Sequence, residues 1–342
     1  MNKNPFGLDI GATTIKLVWL VRDKNGFKLL SFLLTPTPVK GILSESPLDQ
    51  EEMVQAIKKA VILANIQSSA VNVALSENQV YTKVLEMPVL SDRELRSAIY
   101  WEAEQYIPVP LSNITLSWTV LNRPSKSDAM DKMQVLMVGA PTLLINKYQK
   151  IISMAGLTIN AMETEILSAV RSLVLDLDFP PTLIINIGAI STSFAIVRNG
   201  VMVFTYSMSI GGAAINRAIA TDFGFTQAQA EEYKKVYGIS NKDLGGKIGQ
   251  ATVPILNAIL QEAKKSLAFY TQKYKDLPIK QILLSGGTAK LPGIDLFFAN
   301  SSGIETAIAN PWKAVISAIP KEVVENASDF VIAVGLAMRE HE

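Results

Sequence analysis

The sequence predicts an α/β chain of two lobes, and three observations carry that reading. The first is an internal repeat. Residues 7–26 read GLDIGATTIKLVWLVRDKNG and residues 183–200 read LIINIGAISTSFAIVRNG. Asp9 aligns with Asn186, Gly11 with Gly188 and Ala12 with Ala189, and each copy runs on to an Asn-Gly pair, Asn25-Gly26 or Asn199-Gly200. The second is that helical sequence follows each copy. The third is size: 342 residues exceed one ordinary core, and 49% hydrophobic against 18% charged residues can fill two. A repeat of this length constrains a fold more than any single propensity does.

Taken in order, each copy is a short apolar strand, a glycine turn and a second strand. Asn-Gly then closes a hairpin, since both residues tolerate positive φ in a type I′ turn. The returning strands are FKLLSFLL and VMVFTYSM. DQEEMVQAIKKAVILANI is a helix with Asp49 as N-cap and Glu52 completing a capping box; Met53, Ile57, Val61 and Ala64 line its inner face. VNVAL and QVLMVGA read as strands, TLLINKYQKIISMA as a helix stopping at Gly156, and a further helix starts near Thr164. After the second copy come helices at about 212–222, over TQAQAEEYKKVYG, and at about 247–275 with Pro254 in its first turns. KQILLSGGTAKLPGI is strand, glycine turn and helix, and SDFVIAVGLAMRE is a packed closing helix. Pro180-Pro181 marks the junction, placing lobe 1 at 1–180 and lobe 2 at 181–342.

An insert occupies about residues 80–136. Ser91 and Glu94 form a second capping box, Leu95, Ala98, Ile99 and Tyr106 share a helical face, and Pro108 ends that helix. Ile114, Leu116, Trp118 and Val120 alternate as a half-buried strand, and NRPSKSDAMDK is a solvated loop.

Composition excludes several chemistries. With no cysteine there is no disulfide, thiol catalysis or thiolate metal site. The sole histidine, His341, lies at a terminus expected to fray, which removes histidine acid–base catalysis. A net charge of +1 points to no nucleic acid. No run of about 18 apolar residues predicts a membrane span, and the N-terminus has no signal-peptide core.

Two glycine-turn hairpins facing each other make a clamp. At each Gly-Ala tip, backbone amides can face an anion, and small residues let phosphate oxygens approach. Thr13 and Thr14 add hydroxyls, Lys16 a cation, and Asp9 a carboxylate for a magnesium shell. One such hairpin alone reads as an ordinary β-hairpin; two in register, each opening a lobe, favour a two-sided phosphate clamp. Gly286, Gly287 and Thr288 after a strand let a base or ribose lie flat on the backbone. Glu231 and Lys234, three apart on a helix, either reach one ribose or form a solvated ion pair of small value. Glu163 and Glu165 read as surface carboxylates near the connection between lobes, structural or catalytic.

In this order the motifs resemble the superfamily of actin, sugar kinases and chaperone ATPases. PFGLDIGATTIKLVWL, YWEAEQYIPVPL, INIGAISTSF, AEEYKKVYG and AVGLAMRE further resemble the PilM family of type IV pilus proteins, with the FtsA division proteins as its nearest relatives. The resemblance implies a two-lobed actin-like fold, a duplicated ribonuclease-H-like unit with an FtsA/PilM-type extra subdomain at the insert. It implies ATP and Mg²⁺ between the lobes. Phosphate contacts then fall to Gly11, Ala12, Thr13, Thr14, Lys16, Gly188 and Ala189, and adenosine contacts to Glu231, Lys234, Gly286, Gly287 and Thr288. Gly211-Gly212 lies beside the nucleotide, and Asp9 serves the metal. It implies a cytoplasmic protein, peripheral to the inner membrane, that docks the cytoplasmic tail of a PilN-like membrane protein and meets other pilus proteins. Tyr100, Trp101, Tyr106 and Trp118 are what that subdomain supplies beside the docking groove, although for each one alone packing in its core is the favoured reading. Asn186 stands where the superfamily has Asp, so hydrolysis is expected to be weak or absent, and no catalytic base is placed. The alternatives are an FtsA-like filament protein, disfavoured because no amphipathic tail follows the last helix, and a sugar or acid kinase.

Overall fold

The computed structural model describes residues 4–124, 132–239 and 246–339. The first repeat forms β1 (Phe6–Ile10) and β2 (Thr14–Asp23), which continue into β3 (Gly26–Pro36). The β2–β3 loop is Lys24-Asn25 rather than Asn25-Gly26: Asp23 pairs with Gly26, and Gly26 alone has positive φ. Helix α1 (Pro47–Leu63) begins before the expected cap. Pro47, with its fixed φ, opens the helix after Ser46, and Asp49 instead accepts from the Ser44 hydroxyl at 2.5 Å. Its inner face buries Met53, Ile57 and Ala64. β4 (Ala70–Leu75) follows and lies parallel to β1.

The insert is β5 (Tyr81–Met87), α2 (Asp92–Tyr106), β6 (Ile114–Asn122) and β7 (Met133–Pro141), in a three-stranded sheet of order β5-β7-β6. The Ser91–Glu94 capping box is formed. Leu95, Ile99 and Ala103 pack α2 against Leu85, Val135 and Met137. The β6 alternation holds through Trp118 and then shifts register between Val120 and Asn122, which turns Val120 outward and leaves Leu121 to pack inward. Most of the predicted loop after it, and His341, lie outside the described residues.

The chain returns through α3 (Thr142–Met154), β8 (Thr158–Thr164) and α4 (Glu165–Leu173). The first five-stranded sheet then has the order β3-β2-β1-β4-β8. The second repeat is β9 (Thr182–Ile187) and β10 (Thr192–Arg198), turning at Asn199-Gly200 into β11 (Val201–Met208). Both turn residues have positive φ, as a type I′ hairpin needs. There follow α5 (Gly212–Phe223), α6 (Gln227–Tyr237), α7 (Lys247–Lys273), β12 (Gln281–Ser285), α8 (Ile294–Ser302), β13 (Glu305–Ile308), α9 (Lys321–Glu325) and α10 (Val331–Met338). The second sheet, β11-β10-β9-β12-β13, repeats the strand order of the first. Each sheet has its own apolar core, one around Phe6, Leu8 and Tyr148, the other around Phe194, Ile259 and Tyr270.

Although it ends the chain, α10 packs on β1, β2, β4 and α4 of the first sheet. Backbones meet there directly. A Cβ on Gly335 would strike the Ser168 carbonyl, and one on Gly7 would strike the Ala333 carbonyl. Gly335→Ala is therefore expected to lower stability by about 3 kcal/mol, the upper range for overpacking a tight core, read as a shift of the urea midpoint. An unchanged midpoint would show that the helix can move away at little cost.

Candidate functional site

Both repeats end their first strand in the same turn. Gly11 N donates to Thr14 O at 3.0 Å, and Gly188 N donates to Ser191 O at 2.9 Å. Each bond turns the next two residues outward. Ala12, Thr13 and Ile190 are exposed, and Ala189 is partly so. A cleft of about 680 Å³ runs between the tips. Of the residues singled out in the sequence, Asp9, Gly11, Ala12, Thr13, Thr14 and Lys16 line it from the first tip, and Gly188 and Ala189 from the second. Gly212, Glu231, Lys234, Gly286, Gly287 and Thr288 complete the wall. Gly211 stands behind the second tip, buried against the Gly188 and Ala189 backbone.

Asp9 pairs with Lys16, and Glu231 with Lys234. Asp9 is buried and accepts from Lys16 Nζ at 2.9 Å. Burial works against the Lys16 charge, but the Asp9 carboxylate outweighs it and holds the ammonium above its usual pKa. Lys234 and Glu231 form an ion pair of 2.6 Å, with Lys234 buried beside Gly212 and Glu231 partly exposed. Burial lowers the Lys234 pKa despite this partner. Asn186 is buried at the cleft wall, and its Oδ1 accepts from Ser285 Oγ at 2.9 Å. Among the described residues, no group of three or more His, Cys, Asp or Glu is disposed to hold a metal.

The two glutamates expected on the surface are not there. Glu163 is buried in a cluster with Arg171 (2.7 Å), Arg339 (2.5 Å) and the Ser168 hydroxyl (2.6 Å). Burial opposes its ionisation, but the Arg171 bonds outweigh this and lower its pKa. Glu165 opens α4 at the cleft, next to Glu77. Glu77 is fully enclosed: one carboxylate oxygen accepts from Ile166 N at 3.4 Å and the other has no partner among the described residues. Sequence reasoning also missed Asn216, which lines the cleft one turn after Gly212, and the Lys290–Asp329 pair of 2.5 Å. Asn216 had a signal, its i+4 spacing from the glycine pair; the Lys290–Asp329 contact spans 39 positions and had none.

The aromatic residues of the insert also differ from expectation. Trp118 packs on the insert's core, but Tyr100, Trp101 and Tyr106 are 49%, 65% and 40% exposed. The core face of α2 is filled by Leu95, Ile99 and Ala103, so Tyr100 and Trp101 fall on its outer side, while Tyr106 extends the core face at the last turn. Tyr106 leans back to donate to Thr82 O at 3.1 Å. No helix among the described residues is long and apolar enough to cross a membrane.

Burial, with the Asp9 and Glu77 charges, pushes the Glu165 pKa up to about 8, and burial pushes Glu77 to about 7. Between about pH 4.5 and 8 the folded chain thus binds more protons here than the unfolded chain, and this pair's contribution to stability falls as pH rises. Glu165→Gln, which imitates the protonated form, is expected to flatten that decline when urea midpoints are compared across the same range. A slope equal to wild type would acquit Glu165.

Comparison with known proteins places the chain. The model of the family described as "Type IV pilus assembly protein PilM" matches residues 7–341. The chain is 24% identical over 331 residues to the cell division protein FtsA of Streptococcus pneumoniae, covering 84% of this chain and 71% of that protein. Among solved structures it is similar to a chain of a PilM-PilN type IV pilus biogenesis complex, at 28% identity, full coverage of both chains and a TM-score of 0.87. The ethanolamine utilization protein EutJ of Carboxydothermus hydrogenoformans shares the fold at 16% identity, with 98% and 89% coverage and a TM-score of 0.60. MreB 5 of Spiroplasma citri, bound to AMPPNP, shares it at 12% identity, with 98% and 95% coverage and a TM-score of 0.54. The fold is therefore actin-like, and the chain belongs to the type IV pilus assembly protein PilM family.

Proposed function

We propose that this chain is an ATP-binding scaffold of the type IV pilus machinery that docks the cytoplasmic tail of a PilN-like inner-membrane protein. One observation carries the nucleotide half: two copies of one glycine turn meet the Glu231–Lys234 pair and the Gly286–Thr288 turn in a single cleft. The outward residues at each tip suit a polyphosphate, Ala12 and Thr13 on one side and Ala189 on the other. Glu231 and Lys234 suit the ribose, and Gly286 and Gly287 form a shelf for adenosine. The AMPPNP-bound MreB 5 of the same fold supports this use of the cleft.

Magnesium fits as a companion of the nucleotide rather than as a resident metal. Asp9 is the carboxylate at the tip, and Mg²⁺ is commonly held by one or two carboxylates together with substrate phosphates. When bound it would offset phosphate charge. Lys16 holds the Asp9 carboxylate in place at the same turn. Hydrolysis is weak in this reading, because Asn186 supplies a carbonyl where an acid would order metal and water.

The docking half rests on family membership and on the similar PilM-PilN complex. The insert at about 80–136 is the extra subdomain beside which the tail docks, within a lobe of 1–180; residues 181–342 head the other lobe, except that their closing helix α10 returns to pack on the first sheet. Membrane association then comes through the partner, at the cytoplasmic face.

Calorimetry with ATP and Mg²⁺ is expected to show binding, and Gly287→Trp to abolish it by filling the shelf. A Cβ at Gly287 meets only Asp329 Oδ1, at 3.3 Å, so a larger side chain is driven into the cleft rather than into the fold. No wild-type binding at millimolar nucleotide would refute the clamp. Asn186→Asp is expected to raise ATP turnover roughly ten- to a hundredfold, the value of one charge-assisted hydrogen bond; brisk wild-type turnover would exclude Asn186 as the limiting feature. The chain is also expected to pellet with membranes only when a PilN-like partner is co-expressed, so binding to bare liposomes would count against docking.

A further inference from the structure

The sugar side of the cleft contains a residue that the glycine turns and the Glu-x-x-Lys pair leave without a role. Asn216 lies on α5 one turn after Gly212, and the Gly212 amide donates to Gly188 O at 2.9 Å. The helix that abuts the second tip thus also sets the position of Asn216. Its Nδ2 donates to Glu231 Oε2 at 2.6 Å, and Lys234 Nζ donates to the same oxygen at 2.6 Å. Oε2 therefore takes both strong donors. Oε1 keeps only the Lys235 ammonium, 3.5 Å away and more than half exposed. The bond to Oε2 also orients the amide, leaving Asn216 Oδ1 buried and without a donor. Among the described residues, Asn216 Oδ1 thus has no donor, and Glu231 Oε1, on the partly exposed carboxylate that Asn216 holds, has only Lys235.

We propose that Asn216 determines sugar specificity: with Glu231 it reads the vicinal hydroxyls of a ribose, so that the cleft selects a ribonucleotide over its 2′-deoxy counterpart. This rests on the nucleotide reading above. A cis-diol brings two donors to two waiting acceptors. A 2′-deoxyribose brings one and leaves a buried acceptor unpaired. Sites built to hydrogen-bond a hydroxyl reject the analogue lacking it for that reason.

Calorimetry of the whole chain with ATP and with 2′-deoxy-ATP, each with Mg²⁺, tests this. Wild type is expected to bind ATP about tenfold more tightly, the upper range for one neutral hydrogen bond. Asn216→Leu, close in volume but without an acceptor, and Asn216→Ala are expected to bring the ratio near one, chiefly by weakening ATP. A residue that only supports the fold would weaken both nucleotides together and keep the ratio, and that result overturns the proposal. ATP binding by wild type with a ratio near one overturns it too and leaves the nucleotide reading standing. Wild type that binds neither nucleotide overturns both. Should neither position-216 variant fold, Glu231→Gln is expected to lower the ratio as well, and an unchanged ratio there is again a refutation.

Discussion

The seating of the closing helix on the first strand is the contact on which the cleft depends. One continuous segment, residues 326–338, reaches both sides. At its start the Ser328 carbonyl accepts from Gly286 N at 3.0 Å, at the turn after β12, and Asp329 and Ile332 line the cleft. At its end α10 lies against β1, whose continuation is the first tip. Glycine at 7 and 335 is what allows backbone to touch backbone there. Polar bonds then fix the register. Asn72 Nδ2 donates to Leu336 O at 2.9 Å, Arg171 donates to Gly335 O at 3.0 Å, and Arg339 joins the buried Glu163 cluster. A fully buried carboxylate is tolerated only with such partners, so Glu163 ties α4 and the last turn of the chain into one unit. Its role is architectural, although its neighbour Glu165, two residues on, faces the cleft.

How much of this the residues disclose depends on the range of the interaction. The duplicated hairpin was legible because a strand, a glycine turn and a return are local, and the equivalent tips carry the same Gly N to i+3 carbonyl bond. The Ser91 capping box was legible for the same reason. Asp49 misled because a cap depends on where the helix begins, and Pro47 set that start three residues earlier than the Asp49–Glu52 box implied. Tyr100 and Trp101 misled in a different way. An aromatic residue on an amphipathic helix is more often core than surface, but three small aliphatic positions already saturate the α2 face. Glu163 reads as a surface carboxylate because its burial depends partly on Arg339, 176 positions away. The cleft was thus legible in its glycines and Glu-x-x-Lys pair, and illegible in Asn216, Asp329 and the enclosed glutamates, whose roles arise only when distant strands meet.

The exchange of acid for amide between the repeats has a cause within the hairpins. In the first copy Asp9 and Lys16 are cross-strand partners, and their charges satisfy each other. In the second copy the same pair of positions is Asn186 and Ser193. The lysine has become a serine whose hydroxyl is buried without a partner, and the amide instead meets Ser285 from the neighbouring strand. A carboxylate at 186 would lie in a buried sheet opposite Ser193 rather than a lysine, and leaving a buried charge unpaired is costly unless a metal ion offsets it. The two changes therefore belong together: an acid–lysine pair in one tip, an amide–serine pair in the other, each neutral as a unit. A tip of the first kind keeps a carboxylate held by its own lysine. One of the second kind contributes backbone and shape but no fixed charge. On the nucleotide reading proposed above, a polyphosphate would meet an ion pair at one tip and an uncharged pair at the other, which suits holding it more than cleaving it.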